Sequence, residues 1–303
     1  MAYDCVVLIK QVPDTKRITG EAMNDDGTVN RSALPAIFNP EDLNALEMAL
    51  QIKNKFGGRI TVITMGPPAA AAVLRDSLFR GADDAVLITD LKCAASDTLA
   101  TSYILSCAVK KLNYDIVFCG RQAIDGDTAQ VGPQLAEKLG IPQITYVEEL
   151  IELDGKSITA RRNIGAGWQQ VKTNLPVLLT ITSDANEPRV AAAKRMMRYK
   201  NALTPLEIER KIKAENTAVN EADIKKLVEH KHKEIEEKGL LIKQWDLDSL
   251  EADLTWCGRS GSPTKVHRIQ SVVLAAKESK NVEPNDKAIS DMIHELIEDK
   301  TIK

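Results

Sequence analysis

The chain has 303 residues and a formal net charge of −3, from 43 acidic and 40 basic side chains. This length suits one large domain or two small ones, and the near-balance of charge argues against an electrostatic nucleic-acid binder. The longest apolar runs fall far short of the ~20 residues that a membrane helix needs, and the start of the chain lacks the pattern of a secretory signal. The five scattered cysteines have no CxxC spacing and indicate reduced thiols. We therefore expect a cytoplasmic protein.

In the first half of the chain, apolar β-type runs alternate with segments of helical periodicity. Strands are predicted at 4–10, 58–64, 85–89 and 115–119, and helices at 40–55, 68–80, 96–112 and 128–139. Such runs are typical of strands that are covered on both faces of a parallel sheet. Their alternation with short connections favours right-handed crossovers. The expected fold class is α/β, a Rossmann-like, open and mostly parallel sheet.

The pattern changes after residue 143. Four further strands are predicted at 144–153, 157–164, 169–173 and 177–182, with Asp154-Gly155 as a hairpin signal. Antiparallel strands at the sheet edge fit this pattern best. We therefore expect an α/β domain over residues 1–184.

Residues 185–303 are expected to form an extended, helical C-terminal arm. The segment 221–238 carries many Lys and Glu residues, so it is either a solvated helix or an arm whose thin apolar stripe needs a partner surface. A last amphipathic helix is predicted near 286–298.

Several familiar motifs are absent. Without GxGxxG, GxxxxGK[ST] or GxSxG, the common dinucleotide fold, the P-loop and the hydrolase elbow lack support. The four histidines lie in the charged C-terminal half, and His230 and His232 are two apart on a predicted helix, which makes them a poor metal pair. We expect no metal site and no catalytic residue.

The most informative segment is residues 119–131, CGRQAIDGDTAQV, where the fourth strand meets the fourth helix. Open parallel sheets bind ligands at the carboxyl ends of their strands, where the strand order reverses. A helix starting near Thr128 would offer free N–H groups to a phosphate. Asp127 is expected to cap this helix, and Thr128 and Gln130 to supply polar groups. The local pattern leaves two alternatives, a nucleotide site and an ordinary loop with a capping aspartate.

Two other junctions are expected to face the same crevice. The first strand ends at Ile9-Lys10, and the second ends near Gly66, where glycine would permit close backbone approach. Asn39 precedes Pro40 in the pattern of an N-cap with proline at N1. By itself, capping is the simpler interpretation of Asn39, but three junctions that converge on one crevice strengthen the case for a ligand site.

From Gly120 to Gln130 the sequence resembles the β subunit of electron-transferring flavoproteins, and other motifs follow in family order. These are VLIKQV at 7–12, FNP at 38–40, MGP at 65–67, GAD at 81–83, LGIPQ at 139–143, NLP at 174–176 and NEPR at 186–189. The likeness covers roughly residues 2–270. It implies an adenine-nucleotide-binding α/β fold, a heterodimer with an α subunit that the C-terminal arm wraps, and a nucleotide in the β subunit's own crevice.

The resemblance also implies which residues form that pocket. Carried over position by position, they are Leu8, Asn39, Pro40, Glu41, Asp42, Met65, Gly120, Arg121, Gln122, Ala123, Ile124, Asp125, Gly126, Asp127, Thr128, Ala129, Gln130 and Val131. In housekeeping family members the pocket holds AMP. In electron-bifurcating members it holds a second FAD, which NADH reduces and which sends one electron to the α-subunit FAD and one to ferredoxin or flavodoxin.

The details of the sequence favour the bifurcating branch. Asp125-Gly126-Asp127 stands where housekeeping members have three acids, and Gly126 leaves room for a diphosphate beside the backbone. The longer tail after Ser271 and the stretch 261–264 point the same way. Gly165 stands where many members have an acid, so no role is carried over to this position.

The basic segment 185–200 aligns with the family loop that docks acyl-CoA dehydrogenase-type or reductase-type flavoenzymes. On charge alone, this segment would be a solvated linker. Two alternative functions stay open: a housekeeping electron carrier with structural AMP, and an adenine-nucleotide sensor module without a redox role.

Overall fold

The computed structural model describes residues 1–14, 35–216, 220–264 and 281–298. The strands in these ranges are β1 (Cys5–Leu8), β2 (Gln11–Pro13), β3 (Ala36–Phe38), β4 (Ile60–Met65), β5 (Asp84–Ile88), β6 (Ile116–Gly120), β7 (Gln143–Leu153), β8 (Ser157–Asn163), β9 (Trp168–Asn174), β10 (Val177–Ile181) and β11 (Lys243–Trp245). The α-helices are α1 (Pro40–Phe56), α2 (Ala71–Arg80), α3 (Thr98–Lys110), α4 (Val131–Leu139), α5 (Ala193–Tyr199), α6 (Pro205–Glu215), α7 (Glu221–Glu237), α8 (Gly258–Gly261) and α9 (Asp286–Glu298). Among these helices, none has the length and apolar character that a bilayer crossing requires.

Nine strands form one sheet in the order β11-β5-β4-β1-β6-β10-β7-β8-β9, and β2 pairs separately with β3. The strands from β11 to β7 are parallel, whereas β7, β8 and β9 pair antiparallel at one edge. From β1 the chain adds β4 and β5 on one side and β6 on the other, so the strand order reverses between β1 and β6. The predicted α/β class, with a mostly parallel sheet and antiparallel edge strands, is confirmed.

The strand predicted at 177–182 lies elsewhere than expected. Instead of joining the antiparallel edge, β10 pairs in parallel with β6 on one side and with β7 on the other. All five of its residues, VLLTI, are buried. A continuous apolar run is typical of a strand covered on both faces, so its sequence already carried the signal of a central position.

Helices cover both faces of the sheet. Because successive strand residues point to opposite faces, Val7 packs with Phe118 on the side of α1 and α2, while Val6 packs with Leu135 on the side of α3 and α4. The core is almost entirely aliphatic, as the 4% aromatic content requires. These two layers fix the ends of β1 and β6 at one edge of the sheet.

Residues after 184 contribute to the same sheet and core. β11 extends the sheet beside β5, and Tyr199, Ile208 and Leu247 are buried. By contrast, α7 buries only Ile235, and α9 buries none of its residues. The division of the chain at residue 184 stays a prediction. His267 and the start of the predicted long tail, 271–280, lie outside the described residues.

Candidate functional site

The carboxyl ends of β1 and β6 meet the loop of residues 120–130 where the strand order reverses. β6 ends at Gly120, and α4 begins at Val131, so the predicted helix start near Thr128 is wrong by three residues. Asp127 and Ala129 have φ angles of 48° and 52°, in the left-handed region that prevents a right-handed helix from starting there. Such strain in residues other than glycine is concentrated at functional sites.

The predicted capping role of Asp127 is also wrong. Its carboxylate accepts a hydrogen bond from Gln122 Nε2 at 2.9 Å, and the N-cap residue of α4 is Gln130. Because Pro133 has no N–H, the first turn of α4 presents only the amides of Val131 and Gly132 before the helical hydrogen bond from Gln134 to Gln130. An anion held here would therefore depend on the loop backbone as well as on the helix start.

The side chain of Asn39 holds the loop instead of capping α1. Asn39 occupies the N-cap position, and Pro40 follows at N1, but its side chain makes no capping hydrogen bond. This side chain is 0% exposed and reaches the loop instead. Nδ2 donates to the Gln122 carbonyl at 2.9 Å, and Oδ1 accepts from the Ile124 N–H at 3.1 Å. Capping alone, the simpler interpretation, is wrong.

The two acids of the first turn of α1 hold the same loop. Asp42 Oδ1 accepts from the Gly120 N–H at 2.9 Å, and Oδ2 accepts from the Lys10 N–H at 2.8 Å, so one carboxylate joins the ends of β6 and β1. Glu41 Oε2 accepts from the Gln122 N–H at 2.9 Å, and Oε1 lies 2.9 Å from Arg121 Nη2. We call Asn39, Glu41 and Asp42 the loop clamp.

The loop clamp places two carboxyl groups in a buried setting. Burial raises the pKa of Asp42 to about 7, against the opposing effect of the backbone N–H groups that it accepts. Burial likewise raises the pKa of Glu41, although the Gln122 N–H and the Arg121 charge oppose the rise. The fold thus keeps two acids in an environment that disfavours their charge, which is typical of functional sites.

Close approach explains why Gly120 must be glycine. A Cβ at this position would lie 2.5 Å from Asp42 Oδ1 and 2.8 Å from the Glu41 carbonyl carbon. At Gly126, by contrast, a Cβ would meet nothing within 4 Å, and φ lies outside the left-handed region. The fold therefore requires the first glycine but not the second.

Two side-chain contacts tie the rest of the loop to its surroundings. Lys10 Nζ lies 2.7 Å from Asp125 Oδ1, which joins the end of β1 to the middle of the loop. Thr98 Oγ1 donates to Gln130 Oε1 at 2.9 Å, which joins the first residue of α3 to the end of the loop. The loop is therefore held from three sides.

The structure brings most of the predicted pocket residues together around this loop. Leu8 and Met65 lie at the ends of β1 and β4, in the core that faces α3 and α4, and Val131 packs against the same core. Pro40 is exposed, outside the contacts of the loop clamp. Gly126, Asp127, Thr128 and Gln130 are exposed on the loop, whereas Arg121, Gln122, Ala123, Ile124, Asp125 and Ala129 are partly buried. Contact of these residues with a nucleotide stays a prediction.

Sequence reasoning missed several polar groups near the crevice. Of the four buried side-chain polar atoms without a hydrogen-bond partner in the described part of the chain, three are Thr64 Oγ1, Arg121 Nε and Gln134 Oε1. Thr64 lies near the end of β4, Arg121 in the loop and Gln134 in the first turn of α4. Orphaned buried polar atoms are rare in native folds and are completed by water, an ion or a ligand. Polar residues inside an otherwise apolar strand or helix, such as Thr64, were the available signal.

Metal and thiol chemistry find no support at this site. Among the residues that the structure describes, no group of three His, Cys, Asp or Glu side chains could hold a metal ion. Burial raises the pKa of the Cys5 thiol to about 12 and raises that of Cys119 as well. Both are therefore protonated at neutral pH and are poor nucleophiles.

Comparison with known proteins identifies the family of this chain. A family model described as "Electron transfer flavoprotein domain" matches residues 26–223. The chain is 41% identical over 263 residues to "Electron transfer flavoprotein subunit beta" of Clostridium acetobutylicum, which covers 87% of this chain and 86% of the relative. It is 46% identical over 208 residues to "Acryloyl-CoA reductase electron transfer subunit gamma" of Anaerotignum propionicum, covering 67% and 77%. It is 48% identical over 190 residues to "Protein FixA" of Azotobacter vinelandii, covering 61% and 67%.

Proposed function

Because this chain belongs to the electron transfer flavoprotein family, as one of its β subunits, we propose that its loop 120–130 binds an adenine nucleotide. The observation that carries the proposal is the loop clamp, which holds residues 120–124 at the point where the strand order reverses. Ligands of open parallel sheets bind at such points, and a preorganised loop loses little entropy on binding. The pocket would comprise Leu8, residues 39–42, Met65 and residues 120–131.

The same contacts divide the pocket residues into those that would shape the pocket and those that would contact the ligand. The side chains of Asn39, Glu41 and Asp42 are engaged with the loop backbone, so they would shape the pocket without donating to the ligand. The loop backbone, together with Thr128 and Gln130, would then contact phosphate and ribose. Arg121 Nε and Gln134 Oε1 offer polar groups that a ligand or a water molecule could complete.

We propose that the nucleotide is FAD. Gly126 is open on its side-chain side and is not required by the backbone conformation, which leaves room for a diphosphate. Lys10 pairs with Asp125, so its positive charge offsets the repulsion between this acid and a diphosphate, and the Asp127 carboxylate is turned towards Gln122. When bound, FAD would supply hydride acceptance from NADH and single-electron transfer to the α-subunit FAD and to ferredoxin or flavodoxin. The chain itself would bind and orient the cofactor.

We further propose that residues 1–184 form the FAD-binding domain and that residues 185–303 serve partner binding. α9 supports an arm that wraps an α subunit, because none of its thirteen residues is buried. Ile289, Ile293 and Ile297 follow one another at intervals of four and are 40–50% exposed. Such an apolar stripe on a helix is stable only against another surface.

The segment of residues 185–200, which we call the docking segment, is proposed to bind an acyl-CoA dehydrogenase-type or reductase-type flavoenzyme. Val190 is 84% exposed and Met197 is 66% exposed, and methionine adapts well to a partner surface. The name of the Anaerotignum propionicum relative, an electron transfer subunit of acryloyl-CoA reductase, supports this class of partner. A cytoplasmic location is part of the same proposal.

One measurement separates this proposal from its two alternatives. The purified complex is denatured, and the released nucleotides are quantified by chromatography. Two FAD per heterodimer are expected for a bifurcating protein. One FAD with one AMP would instead indicate the housekeeping carrier, and ATP or AMP without flavin would indicate a sensor module.

A further inference from the structure

The docking segment starts at a second set of buried polar contacts on α1. Asn44 Nδ2 donates to the Asn186 carbonyl at 2.7 Å and to the Ser183 carbonyl at 3.3 Å, and Asn186 Nδ2 donates back to the Asn44 carbonyl at 3.0 Å. These two asparagines fix the backbone where the chain leaves β10 and enters the segment. Because Asn44 is buried, each of these bonds is shielded from competing water.

One helical turn further on, Glu47 holds the next part of the segment. Its Oε2 accepts from the Arg189 N–H at 3.1 Å and from Arg189 Nε at 2.7 Å, and its Oε1 accepts from Arg189 Nη2 at 2.9 Å. Arg189 therefore offers three donors to one buried carboxylate. Bidentate pairs of this kind are the strongest hydrogen bonds between side chains and also fix orientation.

The end of α2 anchors the remainder of the segment. The Ala192 N–H donates to the Phe79 carbonyl at 3.1 Å, and Arg80 donates to the Arg189 carbonyl. Arg195 donates from Nε to the Leu78 carbonyl at 2.7 Å and from Nη2 to the Ala82 carbonyl. Two of the basic side chains of the segment are thus engaged inside the chain.

We infer that Asn44 and Glu47 are positioning residues, which hold the docking segment in the conformation that the partner flavoenzyme binds. Arg189 and Arg195 are anchors of the segment, and the exposed Val190, Met196 and Met197 are left facing solvent. This inference rests on the proposed docking role of residues 185–200. It implies that these two α1 side chains, which lie outside the segment, contribute to the affinity for the partner.

The test uses the purified heterodimer and its Glu47→Gln variant. Trypsin cleavage after Arg189, Lys194, Arg195 or Arg198, mapped by mass spectrometry, reports release of the segment. We expect cleavage about tenfold faster, the change that loss of one charge-assisted hydrogen bond produces. With an acyl-CoA dehydrogenase, reduced by its acyl-CoA, as the probe partner, KM should rise about tenfold while kcat and the nucleotide content stay unchanged.

Control variants separate positioning from general destabilisation. Glu207→Gln removes a carboxylate that pairs with Arg75 at 3.0 Å and joins α2 to α6, and it should leave both the cleavage rate and KM at wild-type values. If Glu47→Gln folds poorly, Asn186→Ala, at the partly exposed side, removes the hydrogen bond that Asn186 Nδ2 donates to the Asn44 carbonyl. Arg189→Lys, which keeps the charge but not the bidentate geometry, should give an intermediate KM.

The outcomes distinguish the inference from the docking proposal beneath it. Unchanged cleavage in both Glu47→Gln and Asn186→Ala would overturn the positioning role and leave docking intact. Faster cleavage with unchanged KM would mean that the partner does not bind this segment, which overturns both. A fall in kcat alone would place the effect at electron transfer and would also overturn the inference.

Discussion

Two buried acids of α1, Asp42 and Glu47, have pKa values that are shifted in opposite directions. Asp42 of the loop clamp and Glu47, which pairs with Arg189 of the docking segment, are each only 6% exposed. Burial raises the pKa of Asp42 to about 7. Burial acts in the same direction on Glu47, but the hydrogen bonds and charge of Arg189 outweigh it and hold that pKa below its ordinary value. Asp42 lies deeper in the protein than Glu47 and has no guanidinium facing it, so depth of burial and the partner together decide the sign of the shift.

The difference separates two kinds of structural work on one helix. Glu47 faces a guanidinium, so its charge is compensated and the contact stabilises the fold at neutral pH. Asp42 faces backbone N–H groups at the ends of β1 and β6, which satisfy its oxygens without an equal positive charge. An acid in this setting costs stability when ionised, and we attribute its presence to the loop that it shapes.

The largest expected effect is that of Asp42→Asn. The amide can accept only one of the two N–H groups, and its own NH₂ faces the other, so the Gly120 and Lys10 backbone cannot both be satisfied. We expect loss of most nucleotide from the β pocket, measured as nucleotide per heterodimer after gel filtration. Asp76→Asn, which alters a partly buried pair with Arg80 on α2, should keep wild-type occupancy. Full nucleotide occupancy in the Asp42→Asn variant would mean that the loop clamp is not needed for nucleotide binding.

A second large effect is expected on the open side of the loop. Gly126→Glu places a bulky charged side chain where a Cβ meets nothing within 4 Å. The fold should therefore tolerate it, with Tm near that of the wild type, while a diphosphate should be excluded. We expect FAD loss from the β pocket with α-subunit flavin retained, measured by flavin absorbance and chromatography. Unchanged flavin content would remove Gly126 from the site.

At Gly120, where the loop packs against α1, a substitution should lower the stability of the fold. Gly120→Ala forces a Cβ against Asp42 and the Glu41 backbone, so we expect a loss of about 1–3 kcal/mol in the free energy of unfolding, as for other overpacked positions. Gly126→Ala is the matched control and should change stability by less than about 0.5 kcal/mol. Urea unfolding of both variants measures the difference. Equal stabilities would mean that α1 does not contact the loop as closely as described.

The smallest expected effect is a difference in pH dependence. Asp42 has a folded pKa above its ordinary 3.8, so its contribution to stability is full at acid pH and is lost as pH rises towards about 7. Glu47 has a folded pKa below its ordinary 4.5, so its contribution is present above that value and is lost as pH falls through the folded pKa. Relative to Asp42→Asn, the wild type should therefore lose stability from pH 4 to 7. Relative to Glu47→Gln, it should lose stability only on acidification. Slopes of the same sign in urea unfolding would contradict the comparison.

Much of the fold was predictable because its signals are local. Apolar runs such as 115–119 and the helix at 40–55 show their period directly in the sequence, and the reversal of strand order between β1 and β6 follows the expected α/β pattern. Antiparallel pairing was assigned too widely because 177–182 follows two hairpins. The apolar run of β10 indicated a strand covered on both faces, but the identity of its neighbour β6, about 60 positions earlier, is not reported by any local pattern.

The candidate site was predictable in position but not in the roles of its side chains. Asn39 has the pattern of a cap, and only the tertiary structure shows that it is bonded to Gln122 and Ile124, more than 80 residues away. Asp127 was expected at a helix start, but its left-handed backbone delays α4 to Val131. The contacts of Glu47 with Arg189 span 142 residues and had no sequence signal beyond a charged residue on a helix.

The central place of β10 has a consequence for how this sheet assembles. The hydrogen-bonded ladder from β6 to the antiparallel edge passes through this single strand, whose residues Val177 and Leu178 pair with Ile116 and Val117. β7, β8 and β9 are made earlier in the chain, yet none of them can join the parallel half by hydrogen bonds until β10 inserts. Non-local pairing of this kind slows folding. During synthesis on the ribosome, the two halves of the sheet should therefore remain unjoined until residue 181 has emerged.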